Sequence, residues 1–531
     1  MTEELCENCG AFMEGDKCPK CGWKKLTPEQ VAFKDRVAKW KNAESINCTT
    51  LEEMKAVYKK WLYLEGDDDD FIDVSLAATL DREIPGDPVW LYMIAPPGGV
   101  KSELLRAYKE YNRAYTLDIL TASTFISGMA RLDKNTDEMV PIAGILQDLD
   151  GKTVIIKDFT TLLNSSEENR NEIYGQLRSI YDGYFEKAFG SIRRKVSVTA
   201  KIGLVAGVTP IIDKYSAMNS TLGERFLKIR NDPNKLSAAH AALMEEGRER
   251  VMRQELSTAT RTFLQSLTFD KVPEFTDAQN MDILLMSMYV GFMRANIWCT
   301  YEGGQIVDMQ IISSEVPTRL AKQFKHLSKL LAIIRGHPDY IDDRDMATLG
   351  RVARDTAETK KQAIVDYYAN YDLDGCFDPN DIAGAIKGLY RTNIRNHLNI
   401  LTALDCAEPC KIGYKLTNDF KDYVKAVYRQ DRETPIPFPP NHLQKKPENG
   451  LFSKQPAPKG IYVNLQTQLE KTLGVISDME KIRGSVRDDD LFDELEENHG
   501  LKKAEATRII GVLMKDGTIY SPRPGYYGRT A

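Results

Sequence analysis

Lys101 and Ser102 stand side by side behind Ala95-Pro96-Pro97-Gly98-Gly99-Val100, a Pro/Gly stretch that follows the apolar run WLYMI and precedes the leucine-patterned ELLRAY. A strand, a loop whose backbone N–H groups curl round a triphosphate, and a helix start make a phosphate-binding loop. In that chemistry Lys101 reaches the β- and γ-phosphates of ATP and Ser102 holds Mg²⁺. Both glycine positions of the pattern GxxxxGK[ST] are substituted, by Ala95 and Val100, while Gly98 and Gly99 keep the loop free to present N–H groups. An ordinary strand-turn-helix connection carrying Lys-Ser is the competing reading. Further on, TVIIKD ends in Asp158, where a carboxylate engages Mg²⁺ through water. Phe159 occupies the place of the usual neighbouring glutamate, so the base that orients attacking water stays open, with Glu167 and Glu168 as nearby candidates. A strand-end Asp that caps a turn is the plainer alternative. Thr209 closes the strand IGLVAGVTP at the position of a polar γ-phosphate sensor, and Arg225 in LGERF stands where an arginine finger would reach a neighbouring subunit's nucleotide.

A second chemistry lies at the start of the chain. Cys6 and Cys9 (CENC) and Cys18 and Cys21 (CPKC) form two CxxC knuckles, trailed by Gly10 and Gly22. Four thiolates so spaced can converge tetrahedrally on Zn²⁺ as a small zinc ribbon. Iron in a rubredoxin-like site and a disulfide pair are the alternatives. A third chemistry is electrostatic. Two strand-like arms between Tyr184 and Gly207 flank Gly190-Ser191 and carry Lys187, Arg193, Arg194, Lys195 and Lys201. As a hairpin entering the strand before Thr209, they would meet a DNA backbone; as a plain surface, they would be a solvated face.

The elements that position these residues need several domains, which 531 residues with 42% hydrophobic content allow. The formal charge of -6 excludes a generally basic coat, so DNA contact has to come from local patches. The longest strongly apolar run, MDILLMSMYVGFM, is too short to span a bilayer, and the acidic start MTEEL lacks a signal peptide's basic region. The expectation is a soluble cytoplasmic protein. The five cysteines outside the knuckles show no regular framework, which suits a reducing compartment. The fold expected is multidomain α/β: a zinc ribbon over 1–26, a helical segment over 27–80 interrupted by an acidic run read as a solvated turn, an ATPase core over 81–240 and a helical lid over 241–345. A winged helix follows over 346–430, then a Pro/Lys-rich linker over 431–460 and a second winged helix over 461–531. In the first winged helix, Asp378-Pro379 opens a short helix, Gly388 turns it, and Arg391, Arg395, Asn396 and Asn399 fall on the exposed side of a recognition helix, with a wing over 411–417.

IAPPGGVKSELL, VIIKDFTTLL, IYDGYFEKAFG, LVAGVTPIIDKY and LGERFLKIR, in this order between about Lys55 and Gly336, resemble a family of ATP-binding proteins from phages, archaea and mobile elements. That family looks like an AAA+ branch. The segment EVPTRLAKQFKHLSKLLAIIRG resembles the lid of minichromosome-maintenance (MCM) helicases, which implies a second sensor role for Arg319, facing the γ-phosphate. The ending KDGTIYSPRPGYYGR resembles the C-terminal winged helix of archaeal MCM helicases. Together these imply a DNA-associated AAA+ ATPase that assembles as a homo-oligomeric ring, with a hexamer favoured, and works as a helicase or translocase. A helicase loader or initiator, and a nucleotide-gated transcriptional regulator, are the alternatives.

Overall fold

The computed structural model describes residues 17–21, 24–25, 46–64, 68–98, 100–121, 123–125, 130–132, 139–141, 145–189, 194–215, 224–313 and 316–429, and in the C-terminal part 472, 475–477, 479, 486–497, 506–507, 510, 513, 519–523 and 526–529. Contacts divide the chain into two compact units, Met1–Pro440 and Asn441–Ala531. The first unit begins with helices α1 (Leu51–Trp61) and α2 (Asp68–Thr79), strand β1 (Trp90–Ile94), α3 (Lys101–Ala107) and β2 (Ala114–Leu117). It continues with the short pair β3 (Ala130–Leu132) and β4 (Met139–Pro141), then β5 (Thr153–Ile156), α4 (Thr160–Leu163) and α5 (Glu167–Tyr181). Next come β6 (Tyr184–Phe189), β7 (Arg194–Thr199), β8 (Gly203–Val208) and β9 (Phe226–Arg230).

β2, β5, β8, β1 and β9 lie in that order in one five-stranded sheet, and every neighbouring pair is parallel. Parallel strands covered on both faces read as continuous apolar runs rather than alternating ones. WLYMI is such a run: all five residues are buried, with Leu91 and Met93 in one core cluster and Trp90, Tyr92 and Ile94 in another. α1 follows from its capping box, Thr50 with Glu53, and from the buried stripe Leu51, Met54, Tyr58 and Trp61 at helical spacing. That stripe meets the later helix at Glu255 and Thr260, through Trp61 Nε1 to Glu255 (2.7 Å) and Tyr58 to Thr260 (2.6 Å). The acidic run corrects the expectation of a solvated turn. Asp68, Asp69 and Asp70 form the first turn of α2, and Asp70 is buried against Arg344 (2.6 Å) and Thr348 (2.9 Å). Acidic side chains suit a helix's first turn, and the distant arginine supplies the partner that burial demands.

Past β9 the chain forms α6 (Lys235–Met244), α7 (Glu249–Ser266), α8 (Asp277–Met293), the hairpin β10 (Asn296–Glu302) and β11 (Gln305–Ser313), and α9 (Thr318–Ile334). The hairpin was not expected in the lid; Gly303 and Gly304, both at positive φ, make its two-residue turn. Then follow α10 (Asp343–Thr356), α11 (Thr359–Tyr371), α12 (Pro379–Ala385), α13 (Arg391–Ala403), β12 (Ala407–Pro409), β13 (Tyr414–Leu416) and α14 (Asn418–Tyr428). Asp378 caps α12 as the sequence suggests, accepting from Asn380 N at 2.8 Å. The stretch read as a wing holds the antiparallel pair β12–β13, with Lys411 in its turn. The end of α10 closes over the edge strand β9. Thr356 Oγ1 accepts from Lys228 N (2.9 Å) and Asp355 Oδ2 from Arg230 N (2.8 Å), so donors that an open edge would expose are paired.

Cys376 and Cys410 are disulfide-bonded, against the expectation of unpaired cysteines. They are 34 residues apart in sequence, but the wing hairpin returns to the start of α12 and brings their Cα atoms to 6.2 Å. In the second unit, β14 (Val486–Arg487), α15 (Asp488–Glu497), β15 (Ile519–Arg523) and β16 (Tyr526–Arg529) surround a small core of Ile476, Leu491, Leu495, Ile510 and Leu513. β15 and β16 pair antiparallel in the stretch read as a short wing, and β14 adds to β16. Of the helix expected around Ala504, Ile509, Val512 and Leu513, only Leu513 lies within the described residues.

Candidate functional site

At the carboxyl end of β1 the chain turns through Ala95, Pro96, Pro97 and Gly98 into α3; Gly99 lies outside the described residues. Gly98 has φ +78°, a conformation that favours glycine. Val100, at the second consensus glycine position, has φ -64° and ψ -17°, which any residue adopts, and Ala95 is not among the positive-φ residues. The two substitutions therefore cost the loop no backbone strain. Lys101, the first residue of α3, is buried, and its ammonium donates to the carbonyls of Ala95 (3.2 Å) and Pro96 (3.3 Å). Burial lowers its pKa, and the charge of Asp158 opposes that shift. The two groups come from separate strands and feel each other electrostatically. Ser102 follows Lys101, half-buried.

Asp158 is exposed just past β5, with Oδ1 accepting from Thr160 N at 2.9 Å, so it does cap a turn. Its carbonyl accepts from Thr161 Oγ1 (3.0 Å). Thr209 ends the strand between β1 and β5 and is joined to the same turn. Its N–H donates to Thr160 Oγ1 at 3.2 Å, and the Thr160 hydroxyl donates to Thr209 Oγ1 at 3.4 Å. Gly207 permits this approach, because a Cβ there would fall 2.6 Å from Lys157 O and 2.8 Å from Leu105 Cδ1. Lys101, Asp158 and Thr209 thus meet at the carboxyl ends of three adjacent parallel strands, where α/β sheets hold ligands. Glu167 and Glu168 are exposed in the first turn of α5. Sequence reasoning missed Thr160, although the run DFTT places a hydroxyl two residues after the acid, and Asn231, whose N–H donates to Ile94 O (2.9 Å) and whose side chain donates to Asp68.

The arginines lie at the other end. Trp90 pairs with Phe226, so Arg225, which precedes β9, stands at the amino end of the sheet. A five-residue strand separates it from the phosphate loop by roughly 16 Å. Its guanidinium lies 5.7 Å from the Tyr181 ring centroid and 3.5 Å from Asp182 Oδ2. Arg319, from the first turn of α9, lies 5.8 Å from the same ring and donates to Glu224 O at 3.1 Å. The resemblance implies that Arg319 faces a γ-phosphate; in this chain α9 starts beside Arg225, at the end of the sheet away from Lys101. Burial, and then the charge of Arg319, lower the pKa of Arg225. Tyr181, unremarked in the sequence, holds both cations and packs edge-on against Trp90 (5.2 Å).

β6 and β7 pair antiparallel and lead into β8, as expected of the basic hairpin. Lys187 stands opposite Val196, Lys195 opposite Ala188 and Arg194 opposite Phe189; Arg193 and the Gly190-Ser191 turn lie outside the described residues. The recognition helix needs correction. On α13, Arg391 and Arg395 are exposed, but Asn396 is buried, donating to Gly304 O (2.9 Å) and accepting from Ile306 N (3.4 Å). Asn399 accepts from the Tyr414 hydroxyl at 2.6 Å. The unexpected hairpin and the wing have taken both amides.

Of the four knuckle cysteines, Cys6 and Cys9 lie outside the described residues. Cys18 is buried and Cys21 exposed, and an antiparallel bridge between Lys17 and Lys24 brackets them. His337, Asp342 and Asp345 also bring donor atoms within 4.8 Å of one another. Asp345 is committed to Arg335 (2.8 Å) and to the N–H of Asp342 (3.1 Å), which makes this cluster part of the α10 cap. Among the described residues no helix is long and apolar enough to cross a membrane. No protein-family model matches the chain, and no curated protein matches it.

Proposed function

We propose that the chain is a DNA-associated ATPase of the phosphate-loop type, acting as a cytoplasmic ring in which each nucleotide is shared between two copies. The observation that carries the reading is the meeting of Lys101, Asp158 and Thr209 at the carboxyl ends of β1, β5 and β8, with Arg225 and Arg319 paired at the opposite end of the sheet. Lys101 would exchange the Ala95 and Pro96 carbonyls for phosphate oxygens, and the Gly98 loop would give its N–H groups to the same anion. Ser102 and Asp158 would hold Mg²⁺, which supplies charge neutralisation on the phosphates when bound. Thr209 and Thr160 would orient the attacking water or sense the terminal phosphate. Arg225 and Arg319, too far to serve their own loop, would reach together into the neighbour's.

The hairpin β6–β7 joins β8 directly, so a shift at Thr209 would pass to its basic residues and to bound DNA. Arg391 and Arg395 give the first winged helix two exposed cations for phosphate contact. Cys18 and Cys21 fit half of a Zn²⁺ knuckle. A regulator that binds ATP without turning it over is the second reading, favoured by one observation: two of the three Lys101 ammonium donors are already taken by its own loop. Basal hydrolysis and strand displacement by the purified protein separate the readings. Hydrolysis with unwinding supports the motor, hydrolysis without unwinding a loader, and binding with neither supports the regulator.

A further inference from the structure

Between β9, the end of α8, β10 and the helices α11 and α13, the first unit holds a cavity of about 300 Å³. None of its lining residues belongs to the stretch 95–102 or to the hairpin β6–β7. Five basic side chains line it against three acidic ones, and each acid is ion-paired with a basic side chain. Asp213 makes a two-pronged pair with Arg230 (2.7 and 2.9 Å), a residue outside the lining. Glu358 is shared by Lys361 (3.0 Å) and His397 (3.6 Å). Glu224 pairs with Lys228 (3.1 Å) and Arg294 (3.4 Å).

Two buried lysines in the wall differ in a way that singles one out. An ammonium has three donors. Lys361 uses all three, on Met293 O (3.1 Å), Ala295 O (3.2 Å) and Glu358. Lys228, 2% exposed, is ion-paired with Glu224 at 3.1 Å, and among the described residues no hydrogen bond takes its donors, which leaves them for something in the cavity. Lys214 and Lys360 are exposed at the mouth and would draw an anion inward. The rest of the wall includes Met293, Ile297 and Ile400, an apolar surface that a bare inorganic ion would not use. Small-ligand sites begin at roughly 300 Å³, which suits one compact molecule rather than a dinucleotide.

We infer that this cavity binds a phosphorylated small molecule of about nucleoside-monophosphate size, with its phosphate on Lys228 and its body against Met293, Ile297 and Ile400. Glu224, which would share Lys228 with the ligand, immediately precedes Arg225, so occupancy would bear on the arginine pair. The binding claim itself stands apart from the ATP reading. Calorimetric titration of the full chain with adenosine monophosphate, followed by displacement with inorganic phosphate, tests it. The parent and Lys101→Ala should bind alike, phosphate should displace the ligand, and Lys228→Met should weaken binding about tenfold or more. Ile400→Trp, which fills the apolar side and leaves every charge in place, should weaken it too, and decides the matter if Lys228→Met leaves Glu224 unpaired and the protein misfolds. No binding by the parent, a failure of phosphate to displace, unchanged binding in Ile400→Trp, or loss in Lys101→Ala with retention in Lys228→Met would each overturn the inference.

Discussion

The two ends of the central sheet carry opposite chemistries in different states of commitment. At the carboxyl ends, Lys101 rests on carbonyls of its own loop and Asp158 faces solvent with one oxygen on a backbone N–H. At the amino ends, Arg225 and Arg319 are stacked on Tyr181, and Glu224 beneath them is buried with Lys228 and Arg294. One end leaves an ammonium beside a solvent-facing carboxylate, and the other seats two cations on one aromatic ring. Because all five strands are parallel, the two ends of the sheet stay a strand's length apart. In the proposed ring a second copy, docked head to tail, would bring one end to the other, as heterologous contacts do where the rotation closes.

The largest effect expected falls on the cationic end. Arg225→Ala should lose basal ATP hydrolysis on the order of 10³-fold while retaining ATP binding, as measured by turnover and equilibrium binding. If ATP affinity falls with turnover, the arginine serves its own chain and the comparison breaks. At the other end Lys101→Ala should weaken ATP binding roughly 100-fold, whereas Asp158→Ala should keep binding and lose Mg²⁺-dependent turnover. Unchanged hydrolysis in both variants would remove the assigned site. A smaller effect belongs to the hairpin between the ends: Arg193→Ala with Arg194→Ala should leave basal hydrolysis intact, weaken its stimulation by DNA, and reduce the salt slope of DNA binding by about one to two. Parent-like unwinding would make the hairpin a solvated surface.

The smallest effect concerns stability, at the α10 end that closes β9. Burial raises the pKa of Asp355 to about 6, against the N–H of Arg230 and the nearby arginines. Its folded value exceeds the unfolded one, so the native state holds an extra proton between about pH 4 and 6, and stability falls as pH rises through that window. Asp355→Asn should flatten the fall by about 1–3 kcal/mol in urea midpoints taken from pH 4 to 7. An identical pH slope in parent and variant would show that the contact carries no such penalty.

The sheet was legible because its strands are short, largely apolar runs, as at WLYMI and TVII. The basic hairpin and the capped α12 were legible for local reasons, a Gly-Ser turn and an Asp-Pro start. What escaped depended on distant partners. Asp70 reads as a solvated acid until Arg344 is brought to it, and Asn396 reads as exposed until the β10–β11 tip takes its amide. That hairpin did carry a signal, two β-rich runs around Gly303-Gly304, which the helical pattern on both sides obscured. The end of the sheet at which Arg319 sits follows from the packing of α9, not from its sequence motif.

The most direct test of the shared site is complementation. Lys101→Ala and Arg225→Ala proteins, each inactive alone, are mixed under conditions where mixed rings are shown to form, and steady-state ATP hydrolysis is measured. Random mixing in equal amounts pairs an intact loop with an intact arginine at about a quarter of the interfaces, so activity should return to roughly that share of the parent's. Mixed rings that hydrolyse no more ATP than either variant alone would contradict the account.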